Sequence, residues 1–250
     1  MHCVLMIHAA ESRESAMSKQ DYEAMMQAYG QYTRDLFATG KAGDCAALEA
    51  TSTATTVQVR DGKRIVKDGP FAETREQLGG YYSIDAKDEE EALAWAAKIP
   101  GAAHGTSEVR PLFGAGGPAA DTPADPAPAK APPPGTKEFL LLIYEPEARW
   151  ATMPEAEARA TLGRYMEFGG SLRANGQLAA GARLDATTKA KSVHLEGGKR
   201  VVKDGPFAET REQLGGYYRV RARDLDEAIG MAARIPAAET GTIEIRPVMD

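Results

Sequence analysis

Cysteine and histidine are scarce in this chain, and each scarcity removes a class of chemistry. Two cysteines, Cys3 and Cys45, are too few for a disulfide framework and lack the paired spacing of a zinc site. Four histidines, His2, His8, His104 and His194, form no His-Glu-x-x-His pair. A glycine-rich dinucleotide turn, a phosphate loop and a Gly-x-Ser-x-Gly elbow are also missing. No metal and no cofactor is therefore expected. No apolar run approaches the roughly 20 residues that cross a bilayer, so no membrane contact is expected. The opening stretch Met1 to Ala10 has neither the basic start nor the long apolar centre of a signal peptide, which makes the cytoplasm the expected compartment. Basic excess is absent too: a formal charge of −6 speaks against direct nucleic-acid binding, which rests on clustered Lys and Arg.

What is present is a repeat. Lys63 to Tyr82 (KRIVKDGPFAETREQLGGYY) returns as Lys199 to Tyr218 with only Ile65 changed, to Val201, at an offset of 136 positions. The same offset pairs Leu5 and Ile7 with Leu141 and Ile143, Gly40 with Gly176, Ile99-Pro100 with Ile235-Pro236, and Arg110-Pro111 with Arg246-Pro247. Two copies at so long a period indicate two domains rather than a solenoid. The expected boundaries are 1–113 and 137–250. Between them, 114–136 is rich in Ala, Pro and Gly, and reads as an extended, poorly ordered tether.

Each copy opens with an apolar strand, Val4 to His8 or Leu140 to Tyr144. Ser18 with Asp21, and Thr152 with Glu155, read as capping boxes of a following helix, which Gly40 or Gly176 stops. Val57 and Val59, the Asp61-Gly62 turn and Ile65 to Asp68 predict a hairpin, with Gly197-Gly198 at the second turn. Thr74 to Gln77 and Thr210 to Gln213 read as a one-turn helix ended by Gly-Gly. Strands from Tyr81 and Tyr217 follow. A helix then starts at Asp88 or Asp224 and stops before Pro100 or Pro236, and an alternating strand closes the copy. The class is α+β, one sheet with helices on one face.

Packing alone requires only the apolar pattern of the shared segment, yet its polar residues are kept as well. Asp68, Glu73 and Glu76, with Asp204 and Glu209 in the second copy, are candidate acids or bases. Lys67 and Arg75, with Lys203 and Arg211, can hold an anion or lower a neighbouring pKa. Phe71 and Phe207 can anchor the loop, and Tyr81 and Tyr217 can line a site. An ion-paired corner that only fixes the loop explains the same residues, and a recent local duplication explains their identity; both alternatives stay open. No histidine is shared: the four face Glu138, Tyr144, Thr240 and Gln58 in the other copy.

The stretch VKDGPFAETREQLGGYY resembles the YCII-related family, in its DGPF-motif branch. The likeness runs through both copies, from the opening strand to the closing Glu108-Val-Arg-Pro and Glu244-Ile-Arg-Pro. It implies two ferredoxin-like domains forming a pseudo-dimer of the dimeric α+β barrel type, the copies pairing with each other. Some relatives are lyase-like enzymes with a proposed His and Asp pair, but here the first helix has no histidine in either copy. The branch also implies a setting near extracytoplasmic-function sigma factors. Three expectations follow. The first is a module that binds a small molecule or a protein in a cleft lined by the DGPF loops. The second is a lyase or isomerase using Asp68 or Glu73 as base, with Tyr81 or Arg75 assisting. The third is a duplication that is purely architectural.

Overall fold

The computed structural model describes residues 1–72, 74–114, 130–208 and 210–249. Most of the expected tether, residues 115–129, therefore lies outside the described residues. Copy 1 runs β1 (His2–Ala9), α1 (Glu11–Ser15), α2 (Lys19–Ala38), β2 (Ala42–Ala47), β3 (Thr55–Arg60), β4 (Lys63–Asp68), β5 (Gln77–Asp85), α3 (Glu89–Lys98) and β6 (Thr106–Pro111). Copy 2 repeats the order with β7 (Lys137–Glu145), α4 (Ala148–Thr152), α5 (Glu155–Ala174), β8 (Leu178–Arg183), β9 (Lys191–Glu196), β10 (Lys199–Asp204), β11 (Gln213–Ala222), α6 (Leu225–Ala232) and β12 (Thr242–Pro247). The two hairpins turn as their sequences require: Asp61 and Gly62 have φ of 51° and 70°, and Gly197 and Gly198 have 56° and 76°, the paired positive values of a tight two-residue turn.

Two six-stranded antiparallel sheets result, ordered β10-β9-β6-β1-β5-β2 and β4-β3-β12-β7-β11-β8. Without its outer hairpin, each is a β-α-β-β-α-β unit with the fourth strand beside the first, the ferredoxin-like pattern. The outer hairpin comes from the other copy. β9 pairs with β6 through Ser107–Val193 and Val109–Lys191, and β3 pairs with β12 through Ile243–Val57 and Ile245–Thr55. By contacts, unit 1 therefore gathers Met1–Ala47, Glu73–Asp121 and Asp185–Glu209, and unit 2 gathers Leu48–Ala72, Thr122–Leu184 and Thr210–Asp250. Each core includes the foreign valine. Val193 is packed with Leu5, Leu36, Ile84 and Trp95, and Val57 with Leu141, Phe168, Leu172 and Ile243.

Several local expectations change. Ser18 caps α2, accepting from the Asp21 N–H, but Thr152 does not cap α5. It is the last residue of α4, and its hydroxyl donates to the Ala148 carbonyl at 3.1 Å. α5 starts after Pro154, which stands at the place of Ser18 and has no side chain able to cap. The segment from Thr74 is no helix: the Thr74 hydroxyl donates to the Glu76 carbonyl and the Gln77 amide to the Thr74 carbonyl, which closes a turn, and β5 begins at Gln77. The Gly-Gly pairs lie inside strands. Gly79 and Gly215 fall where the register slips, and a Cβ on Gly80 or Gly216 would stand 2.6 or 2.7 Å from the carbonyl oxygen of Ala46 or Ala182. Glycine is there to admit the neighbouring strand.

Candidate functional site: a latched loop on a buried ion pair

Glu108 and Arg110 alternate on β6 with Ser107 and Val109, so both point to the face opposite the helical core. Both are buried, and Arg110 donates to one oxygen of the Glu108 carboxylate. The other oxygen accepts the Phe207 backbone N–H at 2.8 Å. A loop from copy 2 is thus tied to the closing strand of copy 1. Unit 2 repeats the arrangement: Phe71 N–H donates to Glu244 at 2.8 Å and Arg246 to the other oxygen at 3.3 Å, while Arg246 also donates to the Glu49 carbonyl. Desolvating such a pair is expensive, and it is held by having both carboxylate oxygens bound.

The loop phenylalanines stack on the ends of the first strands. Phe207 lies on His8 at 4.3 Å between ring centroids, and Phe71 on Tyr144 at 4.4 Å. His8 carries a buried Nε2 with no hydrogen-bond partner among the described residues. Burial pulls its pKa down to about 4; the Glu108 carboxylate opposes the fall and the Arg110 guanidinium adds to it. His8 is therefore neutral at pH 7. On the neighbouring strand, buried Tyr81 donates to Asp44. In unit 2, Tyr217 is equally buried, but the position of Asp44 is held by Ala180.

The other expected residues are placed differently. Lys67, Asp68, Lys203 and Asp204 lie at the exposed ends of β4 and β10, and Arg75 and Arg211 are exposed as well. Asp204 makes a surface pair with Lys191 at 2.7 Å, which holds its carboxyl below the usual range. Asp68 faces Thr55 in the same register. Glu73 and Glu209 lie outside the described residues. Phe71, Tyr81, Phe207 and Tyr217 are the expected residues that turn inward. Sequence reasoning passed over Glu108, Arg110, Glu244 and Arg246 as site residues; the signal was a Glu-x-Arg at the same offset in both copies, on one face of a strand. Among the described residues no three His, Cys, Asp or Glu side chains come together to hold a metal. Likewise among them, no helix is long and apolar enough to cross a membrane.

A doubled ferredoxin-like α+β chain, each unit closed by the other copy's hairpin and loop, is the class that fold and site define. The chain belongs to the YCII-related family, whose domain model matches residues 1–115 and again 129–250. It is 43% identical over 104 residues to an uncharacterized protein of Rhizobium meliloti (strain 1021), a match covering 41% of this chain and 84% of that protein. Among solved structures it is similar to a protein provisionally designated a chlorite dismutase (TM-score 0.48, 6% identity, 100% of this chain and 94% of the other). It is also similar to a heme-binding protein from Thermus thermophilus (TM-score 0.47, 11% identity, 100% and 91%).

Proposed function

We propose that this YCII-family chain is a binding protein for a small ring compound, held in unit 1 on the strand face that carries His8, Tyr81 and the Glu108–Arg110 pair, beneath the Phe207 loop. The observation that carries the reading is the His8 ring: neutral, stacked on Phe207, with a buried Nε2 that has no partner among the described residues. Such an atom can take a hydrogen bond from or to a ligand, and a buried polar group calls for a partner. The exposed Lys67, Asp68 and Arg75, with Lys203, Asp204 and Arg211, are kept as outer contacts, and Phe71 and Tyr217 as the matching inner ones of unit 2. Acid–base catalysis by the aspartates has less support, because Asp204 is solvated and already paired with Lys191. The test is a thermal-shift and calorimetric screen of small hydroxylated and carboxylated ring compounds against the full chain and His8→Phe. A compound that binds wild type at least tenfold more tightly than the variant is expected. Equal affinity for both proteins removes His8 from the reading, and turnover of a bound compound would replace binding by catalysis. The DGPF branch and a link to an extracytoplasmic-function sigma factor belong to this proposal on resemblance alone, and a cytoplasmic location on the lack of signal-peptide features in Met1 to Ala10; co-purification with such a factor tests the sigma-factor link.

A further inference from the structure

Among the described residues, the shared segment has one polar residue per copy that is partly buried and to which the architecture gives no role. The phenylalanines latch the loops, the threonines and glutamines brace the turns, and the glycines admit neighbouring strands. Glu76 does none of these. Its Oε2 is buried without a hydrogen-bond partner among the described residues, and the Oε2 of Glu212, its counterpart in unit 2, is in the same condition. The surrounding bracing is also the same: Thr74 donates to the Glu76 carbonyl and Thr210 to that of Glu212, while Gln77 and Gln213 donate to the threonine carbonyls. Adjacent Arg75 and Arg211 are exposed.

Leaving a buried acceptor unsatisfied carries an uncompensated desolvation penalty, larger when it is charged. A glutamine could brace the turn with its backbone equally well, so the turn itself does not require the charge. We propose that Glu76 and Glu212 are ligand contacts, one in each unit, each receiving the ammonium group of an organic cation. The class follows from chemistry: a carboxylate oxygen accepts, and a positively charged donor gives it the strongest hydrogen bond. A divalent metal ion is the other cationic source, and the titration separates the two.

The test uses the full chain with 13C-labelled glutamate, the two carboxyl resonances being assigned through Glu76→Gln and Glu212→Gln. Titrating n-butylammonium chloride at constant ionic strength should move both resonances saturably, with two equivalents bound. Each single variant should lose one equivalent and the double variant both. Shifts no larger than those in sodium chloride overturn the proposal, as does saturation by magnesium or calcium chloride alone, which would assign the oxygens to a metal. The readout does not involve His8, so this inference and the ring-compound reading can fail separately.

Discussion

In unit 1 the loop phenylalanine lies on a histidine, and in unit 2 its counterpart lies on a tyrosine. Beneath that difference the backbone contacts are the same: a phenylalanine N–H on a buried glutamate, and an arginine on the other oxygen. Asp44 has become Ala180, Ala9 has become Glu145, and Glu14 has become Trp150. The latch has been held constant while the groups around it changed. This separates what closes a unit from what gives it chemistry, and it says where each kind of mutation should act.

The largest effect is expected at the latch. Glu108→Ala strands the buried Arg110 and the Phe207 N–H, and Glu244→Ala does the same to Arg246 and Phe71. Each should cost about 3–5 kcal/mol in urea unfolding. Similar losses in the two variants would uphold the equivalence of the latches; a loss under 1 kcal/mol in either would break it. Next comes pH. With His8 held near 4 in the fold and near 6.5 unfolded, its neutral form contributes stability that is fully present above pH 6.5 and is lost as pH falls through 4. The shift corresponds to about 3 kcal/mol as an order of magnitude. His8→Tyr, which installs the residue of unit 2, should flatten the fall in stability between pH 7 and pH 4. An unchanged profile would show that His8 is solvated.

Smaller, but aimed at the exchange of hairpins, are Val193→Ala and Val57→Ala. Each valine is fully buried in a core built by the other copy, and truncation should cost about 2 kcal/mol. Hairpins that merely rested on the surface would lose a few tenths. Removing one side of the Lys191–Asp204 surface pair, by Lys191→Thr, should leave unfolding unchanged, because exposed pairs contribute little.

These sites also mark how far the amino-acid sequence could be read. Caps at Ser18, Asp88 and Asp224, the glycine stops at positive φ and the two-residue turns were legible, because each depends on one or two neighbouring residues. β2 and β8 were not. AGDCAA and LAAGAR have neither alternation nor β-branched residues, and they become strands only because β5 and β11 present a pairing edge. The hairpins were legible as hairpins, but nothing local states that their partner strand lies in the other copy. The same limit hid the site: the motif drew attention to Asp68 and Asp204, which are solvated, whereas the motif phenylalanines bind carboxylates far away in the chain.

Glu145 offers the finest test of the difference between the units, since copy 1 has alanine there. One oxygen accepts the Trp150 indole N–H at 2.8 Å, while the other is buried without a partner among the described residues. Burial raises the carboxyl's pKa; the Trp150 bond and the guanidinium groups of Arg149 and Arg183 pull it back only in part. The raised value fixes the sign. The group favours folding at pH below the ordinary glutamate range, and that contribution is lost as pH rises through the folded pKa. Glu145→Gln keeps an acceptor for Trp150 and removes the ionisation. It should therefore slightly raise the unfolding midpoint at pH 7 and leave it unchanged at pH 4, with Trp150 fluorescence in a Trp95→Phe background no longer titrating. A variant that is less stable at pH 7 would mean that the carboxylate is stabilised by its arginines after all, and that the acid acquired by copy 2 strengthens its unit.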